Sequence, residues 1–176
     1  MVTKYYAGIG SRSTPIHIQE LMTALATRLE QEGWVLRSGG AEGADRAFEA
    51  GVSSQKEIFT AKQISQNTFN TAYEAKQIVR STHPAPERLK FYALDLLARD
   101  VYQVLGSDLK TPSSFIICWT EDGKLVGGTA QALRIAKLHH IPIFNLGVKV
   151  TEDFFRNNLD EALSTLRLFS PWDTMR

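Results

Sequence analysis

The stretch Ser38-Gly39-Gly40-Ala41-Glu42-Gly43-Ala44-Asp45 follows the short apolar run Trp34-Val35-Leu36 and leads into a helical segment reaching Ala50-Gly51. A β-favouring run that passes through glycine into a helix is the signature of a strand-turn-helix unit. The same order occurs earlier in the chain. Lys4 to Ile9 favours a strand, Gly8-Ile9-Gly10-Ser11-Arg12-Ser13 forms the turn, and Thr14-Pro15 opens an amphipathic segment carrying Ile18, Leu21, Met22, Leu25, Ala26 and Leu29. Gly33 closes that helix.

Downstream, Lys56 to Ala61 reads as a third strand, and Asn70 to Leu105 has a helical pattern that His83-Pro84-Ala85-Pro86 must interrupt. Ser113 to Trp119 is a buried-strand candidate. It runs through Thr120-Glu121-Asp122-Gly123 to Gly127-Gly128-Thr129, where a helix from Ala130 to His139 begins. Ile141 to Phe144 is a last core strand, and Thr151 to Leu166 is predicted as one C-terminal helix. Strands alternating with helices imply an α/β fold, a Rossmann-like three-layer domain with a mostly parallel sheet and helices on both faces. One domain is expected over residues 1–176, with a helical insertion at about 63–112 packed beside the sheet.

Composition bounds the function. Lys and Arg number 20 against 19 Asp and Glu, a net charge of +1, which argues against a protein that coats DNA by bulk charge. Any phosphate site must be local. The one cysteine, Cys118, lies inside the apolar run Phe115 to Trp119 and reads as a small core residue, so a reducing compartment is the natural setting. No apolar run approaches the ~20 residues that span a bilayer, and the N-terminus lacks a signal-peptide pattern, so a soluble, cytoplasmic protein without a membrane partner is expected. No Cys/His cluster has metal-ligand spacing, so neither a metal nor a cofactor is predicted.

The chemistry is expected where strands end. In open parallel sheets, ligands sit beyond the C-terminal strand ends, facing free amides at helix N-termini. Three turns fall at that edge, and they supply the ligand- or phosphate-binding candidates Gly8, Gly10, Ser11 and Arg12; Ser38, Gly39, Gly40, Ala41, Gly43 and Asp45; and Gly127, Gly128 and Thr129. Glycine and small hydroxyl residues let backbone amides approach phosphate oxygens. The Arg12 guanidinium could bind phosphate in bidentate fashion. Asp45 could bond a ribose hydroxyl or cap amides. Trp119 and Tyr6 could stack on a base or pack in the core. Arg99-Asp100 lies on a predicted helix, as a ligand contact through Arg99 or as a solvated pair on its outer face, and His83 reads as incidental. The first turn lacks the third glycine of the dinucleotide fingerprint, which disfavours NAD chemistry.

On Gly8 to Arg12, Ser38 to Asp45, and Gly127 to Thr129 with the helix that follows, the chain resembles the superfamily joining DNA-processing protein A (DprA/Smf) with the LOG-type nucleotide phosphoribohydrolases, the SLOG proteins. The resemblance covers roughly residues 4–60 and 88–147, and small members of this type are often phage-encoded. It implies a Rossmann-like domain that binds a nucleotide or single-stranded nucleic acid and assembles as a homo-oligomer. The LOG-type pattern has an Arg-Lys pair on a helix, a buried strand, a Pro-Gly-Gly-x-Gly-Thr turn and a catalytic glutamate in the next helical turn. Arg99 matches the arginine; Asp100 stands where the lysine would, and the glutamate has no counterpart.

Three functions therefore stand open: a binder of nucleotide or nucleic-acid phosphate, a nucleoside-monophosphate N-glycosidase, and a non-catalytic sponge or sensor of a signalling nucleotide. If a glycosidic bond is cut, Glu42, Asp45 and Glu49 are the acid or base candidates.

Overall fold

The computed structural model describes residues 2–171. Its strands, β1 (Lys4–Gly10), β2 (Trp34–Ser38), β3 (Lys56–Ile58), β4 (Ile116–Trp119) and β5 (Ile143–Asn145), form one sheet in the order β3-β2-β1-β4-β5. Every pairing is parallel. The chain builds outward from β1 to β3, then returns to place β4 on the other side of β1. The C-terminal ends of β1 and β4 therefore flank the topological switch point, where crossovers leave toward opposite faces and open a crevice.

Helices cover both faces, as the absence of any polar-out alternation in the strands demands. On one face lie α1 (Ile16–Gln31), α2 (Ala44–Ala50), α7 (Lys149–Asn157) and α8 (Leu159–Arg167). On the other lie α3 (Ala61–Ser65), α4 (Ala72–Thr82), α5 (Phe91–Leu105) and α6 (Ala130–Leu138). The period of two along β1 divides its residues between these cores. Tyr6 joins Met22, Leu25, Trp34 and Phe48 on the first face, while Ala7 and Ile9 join Val101, Ile116 and Cys118 on the second. Each fully buried large side chain contributes about 1.5–3 kcal/mol. Cys118 is wholly buried, and burial pushes its thiol up to about 12, in keeping with a packing residue.

Between β3 and β4 the chain runs through α3, α4 and α5. α5 packs on the sheet against α3, α4 and α6, so it is the crossover helix that the parallel return to β4 requires. The prolines act where expected: α4 ends at Thr82, Pro86 starts a single 3-10 turn, and α5 begins at Phe91. The predicted single C-terminal helix is instead two, because Asn158 leaves helical geometry (φ −134°, ψ 53°) between α7 and α8. That break lets Phe155 and Leu163 both reach the first core.

Candidate ligand cavity at the switch point

A cavity of about 540 Å³ opens at the C-terminal ends of β1 and β4, within the size range of small-molecule sites. One rim is the turn after β1, Gly10 to Ser13; the opposite rim is Gly127, Gly128 and Thr129, leading into α6. α5 forms a wall through Ala93, Leu96 and Leu97, and Asp45, Arg99, Asp100 and Gln103 lie lower, with Ala41 beside them.

Local structure fixes these rims. Ser11 donates its N–H to the Trp119 carbonyl at 3.1 Å, which ties the first turn to the end of β4. The Ser11 carbonyl accepts the N–H of Thr14 and of Ala44, both at 3.3 Å, and the Ser11 hydroxyl accepts the Ser13 N–H at 3.1 Å. Gly43 makes the joint between turns possible. It sits at φ +80°, and a Cβ there would stand 2.6 Å from the carbonyl oxygens of Ser11 and Arg12. On the far rim, the Asn145 amide accepts the N–H of Thr120 and donates to its hydroxyl at 2.7 Å, pinning the chain after β4.

Several expected anion-binding amides already have partners. That of Ser11 is used on the Trp119 carbonyl, and those of Ser13 and Thr14 are used within the first turn. The Ala41 N–H donates to the Asp45 carboxyl at 3.2 Å. Desolvation raises Asp45 to about 6; the Ala41 amide, the Arg99 charge and the amides of Gly10 and Gly39 pull against that rise. The second glycine turn is thus occupied by an acid of its own helix. Among the described residues, the N–H groups of Arg12, Gly128 and Thr129 have no such partner. Gly128 and Gly127 have open space where a side chain would be, and the exposed Arg12 guanidinium has no ion pair among the described residues.

The candidates separate accordingly. Gly10, Ser11, Arg12, Ala41, Asp45, Arg99, Gly127, Gly128 and Thr129 line the cavity. Gly8, Ser38, Gly40 and Gly43 stand outside its lining. Gly8 lies under Phe48 and Leu36, and Ser38 donates to the Gly8 carbonyl at 2.6 Å. Gly39 is in the second layer, against Gln103, Asp45 and Arg99, and its carbonyl accepts from the Arg99 guanidinium at 3.3 Å. Trp119 points to the first face, packs on that core and lines a separate groove with Pro15 and His17. Tyr6 is fully buried and stacks on Phe115 with ring centroids 5.7 Å apart.

Of the acid candidates, Glu42 is exposed and 3.6 Å from Arg46, and Glu49 pairs with Lys56 at 3.1 Å, so only Asp45 faces the cavity. His83 accepts the Ala85 N–H within its own turn at 3.1 Å. The Arg99-Asp100 pair is not on a solvated face: Asp100 is 5% exposed, because α5 lies between the sheet and its neighbouring helices. Asp100 and Gln103 were therefore missed as cavity residues. Their spacing from Arg99 and Leu96 along one helical stripe was the available signal.

Among the described residues no group of three or more His, Cys, Asp or Glu side chains could hold a metal ion, and no helix is long and apolar enough to cross a membrane.

The order of the sheet and the cavity at its reversal place the chain among doubly wound α/β folds with a ligand crevice at the switch point. No protein-family model and no curated protein matches the sequence. The fold is similar to the solved structure of DNA processing protein A from Helicobacter pylori, described for its single-stranded DNA binding mode. The TM-score is 0.64 at 18% identity, covering 96% of this chain and 82% of that one.

Proposed function

We propose that the cavity binds a phosphate-bearing ligand, a nucleotide or the end of a nucleic-acid strand, with the phosphate held between Arg12 and the Gly127 to Thr129 turn. The observation that carries this reading is the convergence, across one cavity, of a guanidinium and of amides at the N-terminus of the nine-residue α6 that have no partner among the described residues. The Ser38 to Gly43 turn has a supporting role here, since Asp45 takes its Ala41 amide. The likeness to DNA processing protein A supports the same class of ligand. A thermal-shift screen of nucleoside monophosphates and short single strands tests it. A ligand at about 100 times its dissociation constant adds about 2.7 kcal/mol to stability. No shift with any member would overturn the proposal. A strand as ligand further requires affinity that falls linearly with log salt.

A second reading, nucleotide N-glycosidase activity, draws on one observation. Asp45, raised to about 6, opens onto the cavity near Asp100, raised to about 8, so a base and an acid stand together near neutral pH. It predicts free base released from a nucleoside monophosphate. Recovery of intact nucleotide from every incubation would leave the sponge or sensor reading in its place. Self-association is a further expectation, supported by Phe91 and Tyr92, which are 88% and 71% exposed at the start of α5; light scattering checks it.

A further inference from the structure

The lower wall of the cavity holds polar groups that the chain itself leaves unsatisfied. Asp100 and Gln103 are 5% and 2% exposed, yet neither the carboxyl nor the amide has a hydrogen-bond partner among the described residues. The Arg99 Nε lies 3.9 Å from the Asp100 carboxyl, and that buried nitrogen has no hydrogen bond among the described residues. Positions 99, 100 and 103 project from adjacent parts of α5, and all of them line the same cavity. Buried polar atoms are nearly always bonded, because an unmade bond leaves the desolvation of the group uncompensated. Asp100 and Gln103 line the cavity with unbonded polar side chains, and a ligand there would complete the bonding.

The chemistry of the set selects the ligand group. The Arg99 guanidinium only donates, while the protonated Asp100 carboxyl and the Gln103 amide each donate and accept. Their complement must carry donors and acceptors together. Phosphate offers acceptors alone and would meet the ionised Asp45 carboxylate. In the same cavity, Ile9, Leu96, Leu97 and Val126 present apolar surface. A flat group with apolar faces and a polar edge satisfies both surfaces; a sugar, hydroxylated all round, leaves the apolar wall uncovered.

We propose that Arg99, Asp100 and Gln103 form a base-reading subsite, which bonds the edge of a purine or pyrimidine held against the aliphatic wall while the phosphate stays at the rim. This rests on the phosphate-site reading above and adds to it a residue-level source of base preference. Burial pushes Asp100 up to about 8, with Arg99 opposing and Asp45 reinforcing the rise. At neutral pH it keeps its proton and offers a donor beside an acceptor, a bidentate match to ring-nitrogen and exocyclic groups on a base edge.

The test compares the parent with Asp100→Asn and Gln103→Met, both checked for native circular dichroism and cooperative melting. Calorimetric titration uses the four common nucleoside 5′-monophosphates, with ribose 5-phosphate as a base-free probe. The parent is expected to separate its best and worst base by about tenfold or more, since a bidentate base contact is worth about 1–3 kcal/mol. Each variant should reorder or flatten that ranking while ribose 5-phosphate binds all three proteins alike. Nucleotides that bind the parent without base preference would overturn the subsite and leave the phosphate site standing. An equal loss for ribose 5-phosphate would also overturn it, placing the residues on the sugar-phosphate. Failure of every phosphate compound to bind would overturn both proposals. Should Asp100→Asn fail to fold, the Gln103→Met ranking alone decides.

Discussion

The Asp45 carboxyl accepts the N–H of Ala41 at 3.2 Å and so closes the second glycine turn from within its own helix. Its side chain shares the lower cavity with Asp100, and desolvation raises both acids, to about 6 and about 8. A carboxyl whose folded pKa lies above its unfolded value near 3.8 binds more protons in the native state. Stability must then fall as pH rises from about 4 to about 8, at up to ~1.4 kcal/mol per pH unit for each proton released. Arg99 is the cation facing both acids, and it moderates the effect without changing its sign. Urea melts across that window should show Asp100→Asn gaining on the parent as pH rises. A stability difference independent of pH would show that Asp100 is not held protonated.

Gly43 and Gly128 should behave oppositely when given a methyl group. Gly43→Ala places a Cβ against the Ser11 and Arg12 carbonyls at positive φ, so it should destabilise by roughly 1–3 kcal/mol and loosen the first rim. Gly128→Ala meets open space, so its stability should stay within about 0.5 kcal/mol of the parent. Its loss should appear in nucleotide binding instead, because the methyl group faces the phosphate position. Denaturant melts and titrations of both variants separate the effects; equal melting midpoints would refute the tight joint between the turns.

Glu30, on the outer side of α1, accepts the N–H groups of Ser53, Ser54 and Gln55 at 3.0–3.1 Å and fixes the loop before β3. The backbone bonds from Gln55 and Ser53 lead in lowering it to about 2. A carboxyl with a depressed folded pKa stabilises above its unfolded value of about 4.5, and that support is lost as pH falls through about 2. Glu30→Gln should therefore melt below the parent at pH 7, with the gap narrowing below about pH 4.5 and closing only as pH nears 2. An equal gap at both pH values would mean that the charge is not what holds the loop.

Much of the fold was legible because its periodicities are local. The prolines at 84 and 86 end α4, and the glycine turns after β1 and β2 lie at the strand ends where the sequence puts them. The break at Asn158 was not legible, since Thr151 to Leu166 keeps a helical pattern across it, and only the demand to bury both Phe155 and Leu163 against one core exposes the bend. The rims of the cavity could be read from glycine and small hydroxyl residues. Its lower wall could not. Arg99-Asp100 is a charged dipeptide that any exposed helix could carry, and its burial comes from α5 being a crossover helix packed on the sheet. Trp119 illustrates the converse. Its position at a strand end allowed stacking on a base or packing in the core, and the two-residue period of β4 turns it onto the first core, opposite Cys118.

The direct trial of the phosphate site is calorimetric titration of the parent and Arg12→Ala with the nucleotide that gives the largest thermal shift. A charge-assisted contact is worth about 1.5–3 kcal/mol, so the dissociation constant should rise about 10- to 150-fold with the melting temperature unchanged. Equal affinity in the two proteins would contradict the placement of phosphate between Arg12 and the Gly127 to Thr129 turn.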